Sequence, residues 1–444
     1  MDESGSLPPG RLGLPIVGDT LRFLADPLRY MQTRAAEHGT VFKAGIIGKP
    51  TVFMLGPAAN EFVLATHVRD FSWREGYGPA AYALFGDALI MLDGDDYGAV
   101  KRAILPVFNK DRLRRQLPAM QEVAETSLER AIDTSRARGR VDLYPVFKAL
   151  AMRVALRVMT GVDIDEDAPQ MVRSFDRFSA GLFTPFALRI PGTAFARAWR
   201  ARTQLREQLR AIVSRPGADA GEDLTAALLT RPQGEGRPSS IEEVVGHLVV
   251  MLFAGHDTTA SLSTWLAFEL MRRPEIRERA RAEVLEHCGQ EGPLELEQLA
   301  KLRYLSACIR EAERLYPPAP TGFRGVTREL RFGKFRIPAG WTVVYSPLFT
   351  HHMAEIYPEP RRYDPERFLG PRDRPGFSLV GFGGGMRKCV GEALAQLELK
   401  VIAATWLRHI EGQLIQTGDP AWDYIPALHP KGGLWAQLHP THSN

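Results

Sequence analysis

Apolar residues along this chain recur mostly at helical spacing, with short alternating stretches between. Asp26 followed by Pro27 predicts a helix over 27–38, with a carboxylate at the N-cap and proline at the first helical position. Alternation over 41–47 and 50–55 predicts two strands joined at Gly48–Lys49, and 58–66 returns to helix. Helices are also predicted over 97–107, 111–137 and 143–160. Residues 74–95 fit neither pattern. Glycines and Pro79 punctuate Tyr77, Tyr82, Leu84, Phe85 and Leu89, a frame suited to a covering loop or the wall of an apolar pocket. The run 171–200 carries Phe175, Phe178, Leu182, Phe183, Phe186 and Phe195. That is more than one helical face requires, so an apolar entrance is expected beside core packing. Prolines and glycines between 213 and 240 predict exposed linkers around a short helix at 223–229.

The pattern over 241–272 predicts one long helix, with Ser239–Ser240 as cap candidates and Glu242 and Glu243 in its first turn. Its middle reads Phe253-Ala254-Gly255-His256-Asp257-Thr258-Thr259. Small, acidic and hydroxylic residues inside an apolar helix are a local conflict of the kind found at functional sites. A buried carboxylate needs partners, and a threonine hydroxyl here either bonds back to the helix or faces a ligand. Another helix carries Glu311-Ala312-Glu313-Arg314 and stops at Pro317–Pro318; Glu311 and Arg314 share a face and can pair. Short strands at 335–337 and 341–345 flank a Pro338–Gly340 turn. A helix follows over 392–408. Strands at 422–425 and 434–438 enclose a turn with Pro426, Leu428 and Pro430. The fold class is therefore mainly α with a small β-region.

Composition narrows the function classes. The chain has 444 residues, 45% hydrophobic and 24% charged, as in a globular protein with a substantial core. A net charge of +4, spread without a basic stripe, gives no case for nucleic acid. The cysteines Cys288, Cys308 and Cys389 are too far apart for a disulfide scaffold or a zinc site, and a reducing, cytoplasmic location is expected. No signal-peptide core and no run of about 18 apolar residues is present, so no integral membrane segment is expected.

The chemistry concentrates at 382–391, Phe-Gly-Gly-Gly-Met-Arg-Lys-Cys-Val-Gly. A lone cysteine follows a glycine-rich turn, with Arg387 and Lys388 beside it and a helix starting just after. Nearby cations and a helix N-terminus favour thiolate. Glycines let the backbone pass close to a flat object and aim N–H groups at the sulfur. A soft anionic ligand for a redox metal is the chemistry this suits.

This stretch resembles the haem-binding loop of the cytochrome P-450 family. The signature falls on Phe382, Gly385, Arg387, Cys389 and Gly391 without departure. The long helix is similar to the family's distal helix at Ala254, Gly255, Asp257 and Thr258, and Glu311 with Arg314 matches its Glu-x-x-Arg. Pro365-Glu366-Arg367-Phe368 supplies the third member of that structural triad, Arg367. The resemblance runs from Leu7 to Leu438 in the family's motif order. It implies one large haem-binding unit over 21–444 after an extended lead at 1–20. The β-rich part would be about 39–57 and 321–350, and the helical core about 97–318 and 377–410.

By the same resemblance Cys389 is the proximal thiolate on haem b, and Phe382 packs beside the sulfur. Arg387 and Arg324 meet propionates. Tyr97 with Lys101 or Arg102 stands where the family has a further propionate contact, and His351 lies near a propionate or in the adjacent packing. Gly255 leaves space for the macrocycle and dioxygen, Thr258 hydrogen-bonds the distal oxygen and Asp257 relays protons, while His256 faces away from iron. Tyr82, Leu84, Phe85, Leu89, Phe183, Phe253, Ala254 and Phe323 are the expected pocket walls. The implied reaction inserts one oxygen from dioxygen into an apolar substrate, by hydroxylation or epoxidation. Electrons come from NAD(P)H through a ferredoxin or flavodoxin-type partner, steered by Lys110, Arg112, Arg114, Arg115 and Lys388; a monomer is expected. The Pro-Pro-x-Pro-x-Gly-Phe-Arg and Ile-Pro-x-Gly-Trp elements resemble retinoic-acid hydroxylases and their cyanobacterial relatives. A retinoid or other isoprenoid is thus the first substrate expectation. A bacterial tailoring oxidase of a terpene, steroid or polyketide, a peroxide-driven peroxygenase and a non-catalytic haem or gas-binding protein are the alternatives.

Overall fold

The helices that position the site are α1 (Pro27–His38), α2 (Trp73–Phe85), α3 (Gly94–Ile104), α4 (Lys110–Arg138) and α5 (Leu143–Thr160). They continue with α6 (Ala168–Ser179), α7 (Ala194–Val213), α8 (Ile241–Arg272), α9 (Arg303–Leu315) and α10 (Glu392–His409). The computed structural model describes residues 5–13, 18–182, 184, 187–218, 220–221, 223–230, 238–371 and 373–441.

The axis of the fold is α8. Ser240 accepts from the Glu243 N–H, and Glu243 returns to the Ser240 N–H at 2.8 Å, closing a reciprocal capping box. From there 32 residues run about 48 Å through the core. Nearly every side chain from Val244 to Met271 is buried, so this helix is held by packing on all sides rather than by one apolar stripe. It packs along α5, which is itself buried through most of its length, with α7, α9 and α10 closing the remaining sides. Each fully buried large apolar side chain, such as Phe147, Phe178 or Leu252, contributes about 1.5–3 kcal/mol.

A mixed sheet lies beside the helices. Its strands are β1 (Gly10–Arg11), β2 (Val41–Ile46), β3 (Lys49–Met54), β4 (Phe71–Ser72), β5 (Gly322–Val326) and β6 (Thr342–Tyr345), in the order β1-β2-β3-β6-β5-β4. The two expected strands form a hairpin that turns at Ile47–Gly48, one residue before the expected Gly48–Lys49. Phe42 and Phe53 stack across it at 4.7 Å, a pair worth about 0.5–1.5 kcal/mol beyond its burial.

Three expectations change. Residues 73–85 are helical despite their glycines, because Ser72 caps the Glu75 N–H and the break is confined to Gly78, at φ 81°. The helix expected over 58–66 ends in a wider π turn from Phe62 to Thr66. The strands expected at 422–425 and 434–438 do not pair with each other. Trp422–Asp423 pairs with His429–Pro430, while Trp435–Pro440 pairs with Ile410–Leu414. Among the described residues, no helix is long and apolar enough to cross a membrane.

Candidate functional site

The 382–391 loop is folded by its own backbone. The Cys389 N–H donates to the Phe382 carbonyl at 2.9 Å, and α10 begins three residues later. The glycines serve packing rather than a bound plane. Gly385 has φ +57°, and a Cβ there would lie 2.1 Å from the Leu64 carbonyl oxygen of the π turn. A Cβ on Gly384 would meet the Phe377 ring. Only Gly391 faces the sulfur, its N–H holding the Cys389 thiol.

Cys389 is accessible while Cys288 and Cys308 are buried. Its sulfur nevertheless sits deep in the protein mass, and desolvation raises the thiol above its ordinary value. The Gly391 N–H, Lys101 and Lys388 oppose that shift without overcoming it. The thiolate expected from the neighbouring cations is therefore not favoured by the protein alone.

Two guanidiniums share one indole. Arg324 lies 3.3 Å and Arg387 4.1 Å from the Trp73 ring centre, and Arg387 also covers Tyr97 at 3.6 Å. Arg387 is held by Asp93 at 2.9 Å and by the Leu92 carbonyl, and Arg324 by the Tyr345 hydroxyl at 3.1 Å. The buried Arg324 Nε has no partner. Desolvation lowers Arg387 to about 10, with Tyr97 and Asp93 pulling the other way. Two like charges on one ring, with an orphaned N–H between aromatic walls, call for an anion. Trp73, Asp93 and Tyr345 carried no signal in the sequence, since each is built into the site from a distant segment.

The neighbouring candidates separate. Lys101 donates to the carbonyls of Met386 at 2.6 Å and Lys388 at 3.1 Å, so it braces the loop; Arg102 is exposed. Tyr97 reaches the Met386 carbonyl at 3.4 Å. Of its two expected places, beside a propionate or in the adjacent packing, His351 takes the second. Its Nδ1 meets the Arg314 carbonyl at 3.1 Å and its Nε2 accepts from the Val380 N–H at 3.0 Å, which leaves no ring nitrogen for a ligand.

On α8, Ala254 is exposed and Phe253, Gly255 and Thr258 are partly so, in a stretch otherwise buried from Val244 to Met271. That one-turn strip coincides with the stretch that resembles the family's distal helix. Thr258 Oγ1 donates to the Ala254 carbonyl at 2.6 Å, leaving its lone pairs for another donor. Gly255 points elsewhere. A Cβ there would touch Ala155 and Met159 of α5 at 3.8 and 3.9 Å, so the space it leaves is toward α5 and not toward a macrocycle.

Asp257 is buried and ion-paired with Lys148 Nζ at 2.8 Å. Lys148, buried on α5, also pairs with Asp176 on α6, whose side chain is 47% exposed. Burial pushes the Lys148 ammonium down, but Asp257 and Asp176 outweigh it and hold it above its ordinary value. His256 faces away into the core, bonded to the Leu252 carbonyl at 2.7 Å and packed on Phe175.

Above the strip three rings meet: Phe85 with Phe178 at 5.3 Å, Phe85 with Phe253 at 5.4 Å, and Phe178 with Phe253 at 6.1 Å. Leu84, Tyr82 and Phe323 face elsewhere. Leu84 is buried toward Gly181, and the Leu89 N–H donates to His247 Nδ1. Tyr82 faces outward under Arg74, bonded to Asp87, because its turn of α2 lies on the solvent side. Phe323 turns to the Phe23 cluster at the sheet, as strand alternation sends its neighbour Arg324 the other way. Phe183 lies outside the described residues.

Beneath the loop, Glu311 and Arg314 are fully buried and paired through both carboxylate oxygens at 2.7 Å. Arg367 Nε joins Glu311 Oε1 at 3.3 Å.

Comparison with known proteins agrees with this geometry. The Cytochrome P450 family matches residues 8–434. The chain is a cytochrome P-450. It is 31% identical to human Cytochrome P450 26C1 over 98% of this chain and 88% of that one. Against Cytochrome P450 26A1 of Gallus gallus it is 29% identical over 97% and 90%. The Putative cytochrome P450 120 of Synechocystis is 30% identical over 98% and 97%. A solved structure described as retinoic acid bound cyanobacterial CYP120A1 superposes with a TM-score of 0.89 at 30% identity, covering 99% of this chain and 100% of that one.

A cytochrome P-450 carries haem b on a cysteine thiolate and acts as a monooxygenase. The residues present fit that group. Among the described residues no three His, Cys, Asp or Glu side chains are grouped to hold a metal ion. Iron at a lone accessible thiol must therefore bring its other ligands, as a porphyrin does. The orphaned Arg324 Nε and the paired guanidiniums suit the porphyrin's carboxylates.

Proposed function

We propose that this cytochrome P-450 oxidises an elongated apolar substrate, with a retinoid or other isoprenoid acid as the leading candidate. Cys389 would hold the iron, and Arg387 and Arg324 the two propionates, with Trp73 and Tyr97 as the apolar walls between them. When bound, haem supplies reductive activation of dioxygen and transfer of one oxygen atom to carbon. The chain's own residues would do the rest. Phe253, backed by the buried Phe85 and Phe178, would exclude water and pack the apolar body against the Ala254–Thr258 strip. Thr258 Oγ1, its proton committed to the Ala254 carbonyl, can accept a hydrogen bond from a water beside the strip. The charged path Asp176–Lys148–Asp257 reaches from solvent to the residue before Thr258, and supports Asp257 as the point where protons enter.

The observation that carries the proposal is the phenylalanine triangle over a single accessible turn of α8. The substrate class is supported by the retinoic acid described in the related structure. Electrons would come from a ferredoxin or flavodoxin-type donor in the cytoplasm, where three unpaired cysteines are at ease. The steering charge is smaller than a residue count implies, because Arg114 is tied to Glu297 and Lys388 to Glu392 at 2.6 Å.

The test begins with the carbon monoxide difference spectrum of the reduced protein. The wild type should give the long-wavelength Soret band of thiolate ligation, and Cys389→Ser should lose it. Titration with all-trans retinoic acid should then shift the ferric spin state. Phe253→Ala should weaken that binding roughly tenfold or more, from about 1.5–3 kcal/mol of lost ring burial. A normal spectrum without any spin shift would exclude the retinoid while leaving the cofactor assignment standing.

A further inference from the structure

A second cavity lies between α1, the C-terminal part of α8, the end of α9 and the segment 419–431. Its volume is about 820 Å3, within the range of roughly 300–1,000 Å3 typical of small-molecule sites. The walls are aromatic. Trp265 and Tyr316 stack at 4.0 Å and 4°, and Trp422 stands edge-on to both at 6.3 and 5.8 Å and to His352 at 6.0 Å.

Charge in this cavity is unbalanced. Its lining carries Arg29, Arg272, Arg273, Arg361 and Lys431 against Asp26, Glu269 and Asp419. Arg272 is neutralised by Asp419 and Arg273 by Glu269. Asp26 spends its carboxylate on the Arg29 N–H at 3.0 Å and the Tyr424 hydroxyl at 3.3 Å, as the cap of α1. Arg361 and Lys431 are exposed at the rim, without an acidic partner among the described residues.

One polar group of the lining is also incomplete. His352 is 5% exposed, and its Nδ1 meets the Leu348 carbonyl at 2.8 Å, while its Nε2 has no partner. Burial and the nearby Arg314 push the imidazole down to about 4, so at neutral pH Nδ1 carries the proton and Nε2 is a bare acceptor. That nitrogen is closed off from the cavity, so what the space offers a ligand is its ring walls and the unpaired rim cations.

We propose that this cavity is a second ligand site, separate from the Cys389 chamber, for an amphipathic anion: a flat aromatic or conjugated body carrying a carboxylate or sulfonate. The body would lie against Trp422 and the edge of Tyr316, which backs onto the buried Trp265, and the anionic end at Arg361 and Lys431. Stacking supplies affinity without demanding one shape, and the rim charges select the sign.

The test uses the haem-loaded protein saturated with clotrimazole, whose azole nitrogen occupies the iron and whose rings fill the chamber. Saturation is read from the Soret shift. The protein is then titrated with 8-anilinonaphthalene-1-sulfonate, following dye emission and tryptophan quenching. One saturable site is expected. The Arg361→Glu/Lys431→Glu double variant should weaken it roughly tenfold, since each reversal replaces an attraction by a repulsion. Both side chains are exposed, and an unchanged carbon monoxide spectrum verifies that the variant folds. Trp422→Ala should weaken it as well, and the uncharged N-phenyl-1-naphthylamine should bind at least about tenfold less tightly than the sulfonate. Absence of a saturable site, a double variant within twofold of wild type, or equal binding of the neutral dye would each overturn the proposal.

Discussion

Arg314→Lys keeps the positive charge of the buried triad and removes its geometry. In the native protein Arg314 uses all its N–H donors. Nε and Nη2 each reach a Glu311 oxygen at 2.7 Å, and Nη1 reaches the carbonyls of His351 and Pro360, both at 2.8 Å. A second Nη2 bond goes to the Arg362 carbonyl at 3.2 Å. A guanidinium has about five N–H groups spread over a planar fork, while an ammonium has three on one atom. Lysine therefore orphans at least two acceptors in a site from which water is excluded. At about 1–3 kcal/mol each, the loss is about 2–6 kcal/mol, a large part of the roughly 5–15 kcal/mol that holds an ordinary domain together. Arg367 is more peripheral, with one contact to Glu311 at 3.3 Å and one to the Glu359 carbonyl at 3.2 Å, so Arg367→Ala should cost roughly 1–2 kcal/mol. Urea unfolding of haem-loaded protein, followed by far-UV circular dichroism and by the Soret band, measures both. An Arg314→Lys midpoint within about 1 kcal/mol of wild type, or Arg367→Ala as the more damaging change, would refute this account of how the triad works.

Gly385→Ala should lose haem and stability together, since its Cβ would lie 2.1 Å from a backbone oxygen at a φ of +57°. Gly255→Ala should keep its carbon monoxide spectrum and gain up to about 1 kcal/mol from helix propensity, read as a higher Tm, because the added methyl meets Ala155 and Met159 at ordinary contact distance. Lys148→Met leaves Asp257 buried without its cation and should cost about 3–5 kcal/mol; product formed per NADPH consumed should fall, with hydrogen peroxide rising. Burial, with Arg314, pushes His351 down to about 3. The unfolded chain therefore binds the extra proton first, so the full stability is present above about pH 6.5 and declines as pH falls toward 3. His351→Gln should flatten that decline by about 1.4 kcal/mol per pH unit, measured from urea midpoints between about pH 6 and 4.

What could be read from the sequence depended on whether a residue's partners lie near it in the chain. The helix Ile241–Arg272 was legible because its cap, first-turn acids and apolar run are contiguous. Glu311 and Arg314 share one helix face, so their pairing followed from spacing, while the carbonyls that complete Arg314 come from residues 351–362 and left no trace. Asp93 is separated from Arg387 by 294 positions and had no local signal. Lys148 was hidden differently: it sits in the apolar run of α5, and a single lysine there reads as the solvent edge of a helix until Asp257 is seen beneath it. The glycines of the 382–391 loop were recognisable, but the objects they make room for, Leu64 and Phe377, are not adjacent in sequence. Alternation made Phe323 and Arg324 face opposite ways, yet it does not say which way is inward.

One helix connects both sites. On α8 the accessible turn at Ala254–Thr258 faces the proposed substrate space, and the next residues toward the C-terminus grip the turn that follows Trp422. Ser261 Oγ donates to the Leu428 carbonyl at 2.5 Å and Trp265 Nε1 to the same oxygen at 2.9 Å, while the Leu428 N–H is held by the Pro318 carbonyl at 3.0 Å. Trp265 is also a wall of the second cavity. Its indole cannot tilt toward or away from Tyr316 without lengthening the bond to Leu428, because both contacts are made by one rigid ring. Thr258 and Trp265 are about 10 Å apart along the helix. A ligand pressing on the Tyr316 side of this stack would thus act on the 425–430 turn through Trp265 and its hydrogen bond, without any change in the backbone of α8. What such a contact can pass to the turn is bounded by what that bond is worth, about 1 kcal/mol, or roughly a fivefold shift in the turn's own conformational equilibrium.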